Sequence, residues 1–245
     1  MRYGVFSDAH ANLEALLAVL ESFGKEDVQG YIFCGDAVGY GPQPDECVEI
    51  IKKLPNITAV AGNHDIALKE TAFLELFTPD SVPPVLLAAK ELSAGNMDFI
   101  NSLAPSRGGG NFCVVHGTFL DPAKEYWITK RQYKANYDLW KGPVCFVGHT
   151  HIPFVMSSKD NKIVDQNLFS EGEEITLDAA SRYVINPGST GQPRDGDNRA
   201  CAGVYDEEKN TFKIIRAEYD IEKVRRKMAA KGFSDRLSQR LSLGV

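Results

Sequence analysis

Tyr3-Gly4-Val5-Phe6-Ser7-Asp8-Ala9-His10-Ala11-Asn12 is the stretch on which the fold turns, together with the segment that follows it, where Leu13, Leu16, Leu17, Leu20 and Phe23 repeat at helical spacing before Gly24. The short apolar run reads as a buried strand and Asp8-Ala9-His10 as the polar loop that ends it. The amphipathic segment reads as a helix entered at Asn12 and stopped at Gly24. The unit recurs. Tyr31 to Cys34, Thr58 to Ala61, Phe112 to Val115 and Val144 to Val147 are further apolar runs ending in polar, Gly-containing loops, and Pro44 to Leu54 supplies a second helix. Strand, helix, strand at intervals of roughly thirty residues predicts a parallel or mixed sheet, hence an α/β protein.

Further along, Ile66 to Arg107 breaks this rhythm. It reads as one or two helices punctuated by Pro79, Pro83, Pro84, Gly95 and Pro105, a helical insertion at about 66–107 lying over the sheet. Beyond His151 the pattern turns β-rich, with candidate strands at Pro153 to Ser158, Lys162 to Phe169 and Tyr183 to Asn186. A hairpin of Ala202 to Asp206 and Thr211 to Ala217 turns at Glu207-Glu208-Lys209-Asn210. A second sheet is expected from this half. A helix from Ile221 to about Lys231 and a shorter one after Gly232 close the chain.

The 245 residues are 43% hydrophobic and 24% charged, with no Gly/Ser or Pro tract to mark a linker, so residues 1–245 read as a single domain. The net charge of -6 opposes a protein that grips a nucleic-acid backbone through a broad basic surface. Lys52-Lys53 and Arg225-Arg226-Lys227 read as solvated helix faces. Cys34, Cys47, Cys113, Cys145 and Cys201 form no CxxC pair and sit mostly among apolar neighbours, as reduced core thiols do. The N-terminal residues lead straight into a strand, and no run approaches the roughly 18 apolar residues of a membrane span. A soluble, cytoplasmic protein is expected.

Histidine is scarce, five in all, and each one follows a predicted strand in a loop that also holds Gly, Asp or Asn. The loops are Asp8-Ala9-His10, Gly35-Asp36, Gly62-Asn63-His64-Asp65, His116-Gly117 and Gly148-His149-Thr150-His151. Strand C-termini are where open α/β sheets present ligands. In an extended segment residues i and i+2 point to one side, so Asp8 with His10, and His149 with His151, are expected to reach one cavity. Imidazole, carboxylate and amide donors without thiolate suit Mn, Fe, Zn, Co or Ni in an open, catalytic site. A lone Asp-x-His is more often a turn, and His116-Gly117 alone says little. Five such loops in order, together exhausting the histidines, make coincidence improbable.

These motifs, in this order from Asp8 to His151, resemble the calcineurin-like metallophosphoesterase superfamily. The resemblance implies a sandwich of two mixed β-sheets flanked by helices. It also implies a ligand set: Asp8, His10 and His151 for one metal, Asn63, His116 and His149 for another, with Asp36 bridging, and Mn²⁺ as the expected ion. Two divalent cations would outweigh the charges of Asp8 and Asp36, leaving a positive site for a phosphoryl group and a bridging hydroxide. His64, beside Asn63, matches the family's general acid; its alternative is a hydrogen-bonded loop histidine.

Protein Ser/Thr phosphatases of the family carry Gly-Asp-x-x-Asp-Arg-Gly where this chain reads Gly35-Asp36-Ala37-Val38-Gly39-Tyr40-Gly41. Gly39 thus replaces an acid that orients the histidine, Tyr40 replaces a phosphate-binding arginine, and Asp65 stands in place of a glutamate. The chain is more similar to small bacterial phosphodiesterase-like members. A substitute arginine is Arg194, in the turn-rich loop Asn186-Pro187-Gly188-Ser189-Thr190-Gly191-Gln192-Pro193-Arg194, whose amides could also face an anion. Its ordinary alternative is a surface arginine paired with Asp195 or Asp197. Tyr40, Tyr126 and Trp127 are candidates to stack on a nucleobase, or else core aromatics.

The expected activity is hydrolysis of a phosphodiester or phosphomonoester of a small molecule or nucleotide, with Ile66 to Arg107 and Thr118 to Lys141 shaping specificity. The rival from another class is a non-catalytic scaffold of the same fold, against which all seven ligands remain in place. A nuclease is the weaker alternative, disfavoured by the acidic charge.

Overall fold

The computed structural model describes residues 1–160, 162–167 and 171–245, with only the backbone at 164–167. From the N-terminus the elements are β1 (Arg2–Phe6), α1 (Leu13–Lys25), β2 (Gly30–Phe33), α2 (Pro44–Lys53), β3 (Ile57–Ala59) and α3 (Asn63–Ala67). After 3₁₀ turns at Thr71–Leu76 and Pro79–Ser81 come α4 (Val82–Glu91), α5 (Ala94–Ser102), β4 (Ser106–Gly109), β5 (Phe112–Val115), α6 (Lys130–Asn136) and β6 (Val144–Phe146). Then follow β7 (Phe154–Lys159), β8 (Lys162–Asn167), β9 (Glu174–Thr176), β10 (Arg182–Asn186), β11 (Ala200–Asp206), β12 (Thr211–Ala217), α7 (Ile221–Ala230) and α8 (Asp235–Leu243).

Two six-stranded mixed sheets result, ordered β3-β2-β1-β11-β12-β9 and β4-β5-β6-β10-β7-β8. The second sheet expected from the half after His151 forms, but that half shares it with β4, β5 and β6 and does not build it alone. Its terminal hairpin joins the first sheet, where Val5 pairs with Gly203 of β11, while β10 lies beside β6 in the second. Each sheet therefore carries three neighbouring parallel strands, β1, β2 and β3 in one and β5, β6 and β10 in the other. The reason lies in the side chains. β11 (ACAGVYD) is buried on both faces, and only a position inside a sandwich covers both.

The layers follow from three apolar clusters. Val5, Ile32, Phe146, Ile185, Tyr205 and Phe212 fill the space between the sheets. Phe6, Phe33, Leu16, Phe23 and Ile51 bury α1 and α2 on the outer face of the first sheet. Val115, Val184, Met156, Trp127 and Tyr133 cover the outer face of the second. A fourth cluster, of Val224, Met228, Leu237 and Leu241, packs α7 and α8 against Tyr40.

Several local expectations need correction. Gly24 lies inside α1, which runs on to Lys25 because Phe23 is still buried and holds the last turn; Leu17 points outward and is 50% exposed. Asn12 does cap α1, accepting from the Ala15 amide at 3.2 Å. Pro83 and Pro84 do not punctuate: they sit in the first turn of α4, where a missing N–H costs nothing. The insertion ends a residue or two early, because Ser106 already pairs with Val115. Lys227 is half-buried and ties α7 to α1 through Glu14, so it is no solvated face. The strand expected to reach Phe169 is described to Asn167, and Leu168 and Phe169 lie outside the described residues. All five cysteines are free and buried. Among the described residues no helix is long and apolar enough to cross a membrane.

Candidate metal centre

The C-terminal ends of the two parallel trios meet along one rim, and every expected ligand is delivered there. Asp8 and His10 follow β1, Asp36 follows β2, Asn63 and His64 open α3 after β3, His116 follows β5, and His149 and His151 follow β6. All eight are buried.

Their convergence has a different origin from the extended geometry expected. Asp8, His10, Asp36, Tyr40, His149 and His151 all hold φ between +46° and +69° with wide strand-breaking turns, so the loops curl back over the rim instead of running on. Left-handed backbone costs a non-glycine residue about 1 kcal/mol or more. The loops offset it by hydrogen-bonding to one another: the Asp8 amide donates to the Gly35 carbonyl (2.9 Å), that of His10 to Asp36 (3.0 Å) and that of Gly41 to His10 (2.9 Å).

Three donor sets form, each with its ligand atoms within 4.8 Å of one another: Asp8, His10 and His151; Asp36, His116 and His149; and His10, Asp36 and His64. Asn63 Oδ1 joins the second at 3.1 Å from His116 Nε2. Asp36 stands between the sets, its Oδ2 lying 3.7 Å from His10 Nε2 and 3.4 Å from His116 Nε2.

Hydrogen bonds on the far side of each ring assign the tautomers. His10 Nδ1 donates to the Val38 carbonyl (2.9 Å), His151 Nδ1 to that of Gln192 (2.6 Å) and His116 Nδ1 to that of Cys34 (2.8 Å). The inward nitrogens of His10 and His151 then face each other 3.1 Å apart as lone pairs. His116 Nε2 lies 3.1 Å from both His149 Nδ1 and the Asn63 oxygen. Asp8 Oδ1 is buried without a hydrogen-bond partner. Acceptors crowded on acceptors repel unless a positive charge lies among them, so this mixed N/O donor set fits divalent cations.

Charge in the protein alone points the same way. Burial works against the Asp8 carboxylate, but His151 and His116 outweigh it and hold the group below its ordinary range. Asp36 is likewise held low against burial by His116 and His64. Burial pulls His116 down, yet Asp36 and Asp8 hold it up to about 9. Burial drives His64 down to about 4 and His149 to about 3.

Asp65 matters more than its place in a motif suggested. Its Oδ1 accepts from the amides of Ala37 (2.9 Å) and Val38 (3.3 Å), and its Oδ2 from those of Asp36 (2.8 Å) and Gly62 (3.0 Å). One buried carboxylate thus pins the Asp36 loop to the Asn63 loop. Burial and the charge of Asp36 push its carboxyl up to about 7. Both oxygens nonetheless face amide hydrogens and leave no room for a proton, so this geometry holds the ionised form.

The loop from Asn186 to Arg194 does not present its amides to an anion. Those of Thr190, Gly191 and Arg194 donate to the carbonyls of Ser7, Asp8 and His151, so the loop braces the ligand loops. Arg194 itself pairs with neither Asp195, which holds Arg216, nor Asp197, which holds Arg199. Its Nη2 donates to Gln192 Oε1 (2.9 Å) and Tyr40 Oη (3.3 Å), and its buried Nε has no partner.

A cleft of about 260 Å³ opens beside the donor sets, and Arg194, Tyr40, His64, Tyr126 and Lys124 are on its walls. Tyr126 stacks on His149 (3.9 Å between ring centroids, 8° between planes). Trp127 is fully buried beneath the second sheet and is no stacking platform. Gly39 lies where a Cβ would come within 2.2 Å of His64 Nδ1; that nitrogen has no hydrogen-bond partner, and Tyr40 and Phe77 flank the ring. No motif announced Phe73, Phe77 or Lys124, because they come from the insertion and from a loop without regular pattern.

Two mixed sheets whose parallel strand ends gather imidazoles and carboxylates into adjoining sets define a protein of the metallophosphoesterase class. The model of the calcineurin-like phosphoesterase superfamily domain matches residues 1–210, and the chain belongs to that family. It is 36% identical over 244 residues to the uncharacterized protein MJ0912 of Methanocaldococcus jannaschii, across 98% of this chain and 97% of the relative. A metallophosphoesterase from Sphaerobacter thermophilus superposes with a TM-score of 0.87 at 36% identity, covering 100% of this chain and 99% of the other. The hypothetical protein PH1004 from Pyrococcus horikoshii OT3, 19% identical, shares the fold with a TM-score of 0.81, over 100% and 98% of the two chains.

Proposed function

We propose that this protein is a metal-dependent phosphoesterase that hydrolyses a phosphodiester or phosphomonoester of a small molecule or nucleotide at a pair of divalent ions, Mn²⁺ first among them. The observation that carries the reading is the place of Asp36, whose carboxylate belongs to donor sets on both sides. Asp8, His10 and His151 would hold one ion and Asn63, His116 and His149 the other, with Asp36 shared. Bound there, such ions acidify a shared water and clamp phosphoryl oxygens.

The chain's own groups supply the rest. Arg194, free of any carboxylate and with a buried Nε to spare, orients the phosphoryl group as a planar fork. His64 stands over the cleft as the group that protonates the leaving oxygen. Burial keeps its imidazole neutral in the free protein, and the negative charge of a phosphoryl group works against that burial and favours the protonated form. Five free, buried thiols suit a reducing compartment and support a cytoplasmic location.

Hydrolysis of bis-p-nitrophenyl phosphate with added Mn²⁺, wild type against Asp36→Asn, tests the proposal. Metal-stimulated turnover lost in the variant is the expected result. A wild type silent with every divalent ion tried would leave a scaffold of the same fold as the better reading.

A further inference from the structure

Among the walls of the cleft, one side is chemically unlike the rest. The ligand floor and Arg194 are polar and charged, whereas the side formed by the first turns of the insertion presents Phe73, Leu76 and Phe77, with Tyr126 across the opening. Phe77 lies nearly parallel to the His64 ring at 4.4 Å between centroids and 27° between planes. Leu76 is 60% exposed at the mouth. Thr78 and Ser81 also line this side, but their hydroxyls bond each other at 2.7 Å. The Lys124 ammonium sits 5.2 Å from the centre of the Phe73 ring.

We propose that the segment 71–81 is a leaving-group subsite, selecting phosphate esters of an aromatic or otherwise apolar alcohol. This rests on the phosphoesterase reading above, because His64 fixes the direction. In hydrolysis the phosphorus–oxygen ester bond breaks, water supplies the new oxygen on phosphorus, and the leaving oxygen takes up a proton. If His64 gives that proton, the departing alcohol lies next to His64, hence against Phe77 and its apolar neighbours, while the retained phosphoryl group lies on the charged floor. A polyol in that place would leave its hydroxyls buried against carbon, at a cost that a flat apolar group does not meet. The cleft, at the small end of the roughly 300–1,000 Å³ usual for ligand pockets, takes a single ring system beside the phosphate.

The test compares 2-phenylethyl phosphate with n-propyl phosphate, whose leaving alcohols are alike in acidity, each as monoester and as methyl diester, with the Mn²⁺-loaded protein. Wild type should prefer the aromatic ester by roughly tenfold or more in kcat/KM. Leu76→Ser, at an exposed position that folding does not need, should erode that preference several-fold through KM. Binding of the inert 2-phenylethylphosphonate, followed by calorimetry, should weaken in parallel. Phe73→Ala, checked for native circular dichroism, should act the same way. Equal handling of the two esters by an enzyme that turns over bis-p-nitrophenyl phosphate, or parallel loss of both in Leu76→Ser, would overturn the subsite and leave the phosphoesterase reading standing. No turnover of bis-p-nitrophenyl phosphate would count against that reading itself.

Discussion

Replacing Asp65 by Asn should destabilise the protein out of proportion to the size of the change. Each carboxylate oxygen accepts two backbone amides from loops that carry the proposed metal ligands. An asparagine keeps one oxygen and turns an NH₂ group onto the other pair of N–H donors, so two hydrogen bonds to a charged acceptor are lost outright. Such bonds are worth about 1.5–3 kcal/mol each, and donors left buried without a partner cost a similar amount. The loss should therefore be roughly 3–6 kcal/mol, a large part of the 5–15 kcal/mol that holds a typical domain. Urea unfolding followed by circular dichroism measures it: at a slope near 3 kcal/mol/M the midpoint should fall by roughly 1 M or more. A variant within about 1 kcal/mol of wild type would refute the argument, because it would mean the carboxyl carries a proton and the amide replaces it almost isosterically.

Three further outcomes are expected. Binding of Mn²⁺ should release a proton: His116 is held up to about 9, above its ordinary value, so it is protonated at neutral pH and must lose that proton to ligate. Affinity should accordingly fall as pH drops below about 9, and calorimetric enthalpies should differ between buffers of different ionisation enthalpy; buffer-independent heats would contradict this. Gly39→Ala puts a methyl 2.2 Å from His64 Nδ1 on a backbone with φ of +91°, and should cost about 1–3 kcal/mol in thermal unfolding and lower kcat by displacing the imidazole. Arg194→Ala should raise KM about tenfold or more with a smaller effect on kcat, and unchanged steady-state kinetics would remove Arg194 from the phosphate.

What the sequence made legible was the chemistry and the strands that carry it. Asp8, His10, Asp36, Asn63, His116, His149 and His151 stand out because imidazole is rare in the chain and each one follows an apolar run that can only be a buried strand. Partnership between strands was less legible. Nothing local in Ala200–Asp206 says that it lies beside β1 and not beside β10, since pairing across some two hundred residues is settled by which faces need covering. Ser106–Gly109 has no apolar side chain, so an edge strand there leaves no periodic trace. The α6 helix did leave one: Thr129 and Gln132 form a capping box, a signal that reading for apolar spacing alone passes over.

The hidden part of the site is its backbone. Asp, His and Tyr in the left-handed region carry no signature, because those residues are present for their side chains and the conformation is imposed by the neighbouring loops. That imposition is mutual: the β1 loop is held by carbonyls of the Asp36 loop, the Asp36 loop by the Asp65 carboxylate, and the His151 loop by Gln192 and Arg194. Strain of about 1 kcal/mol at each of several residues persists only while the lattice is complete. A proposed ligand side chain such as His149, which accepts strain but supports little of the lattice, should therefore be removable with the fold intact. Asp65, which binds no cation in this arrangement, should not.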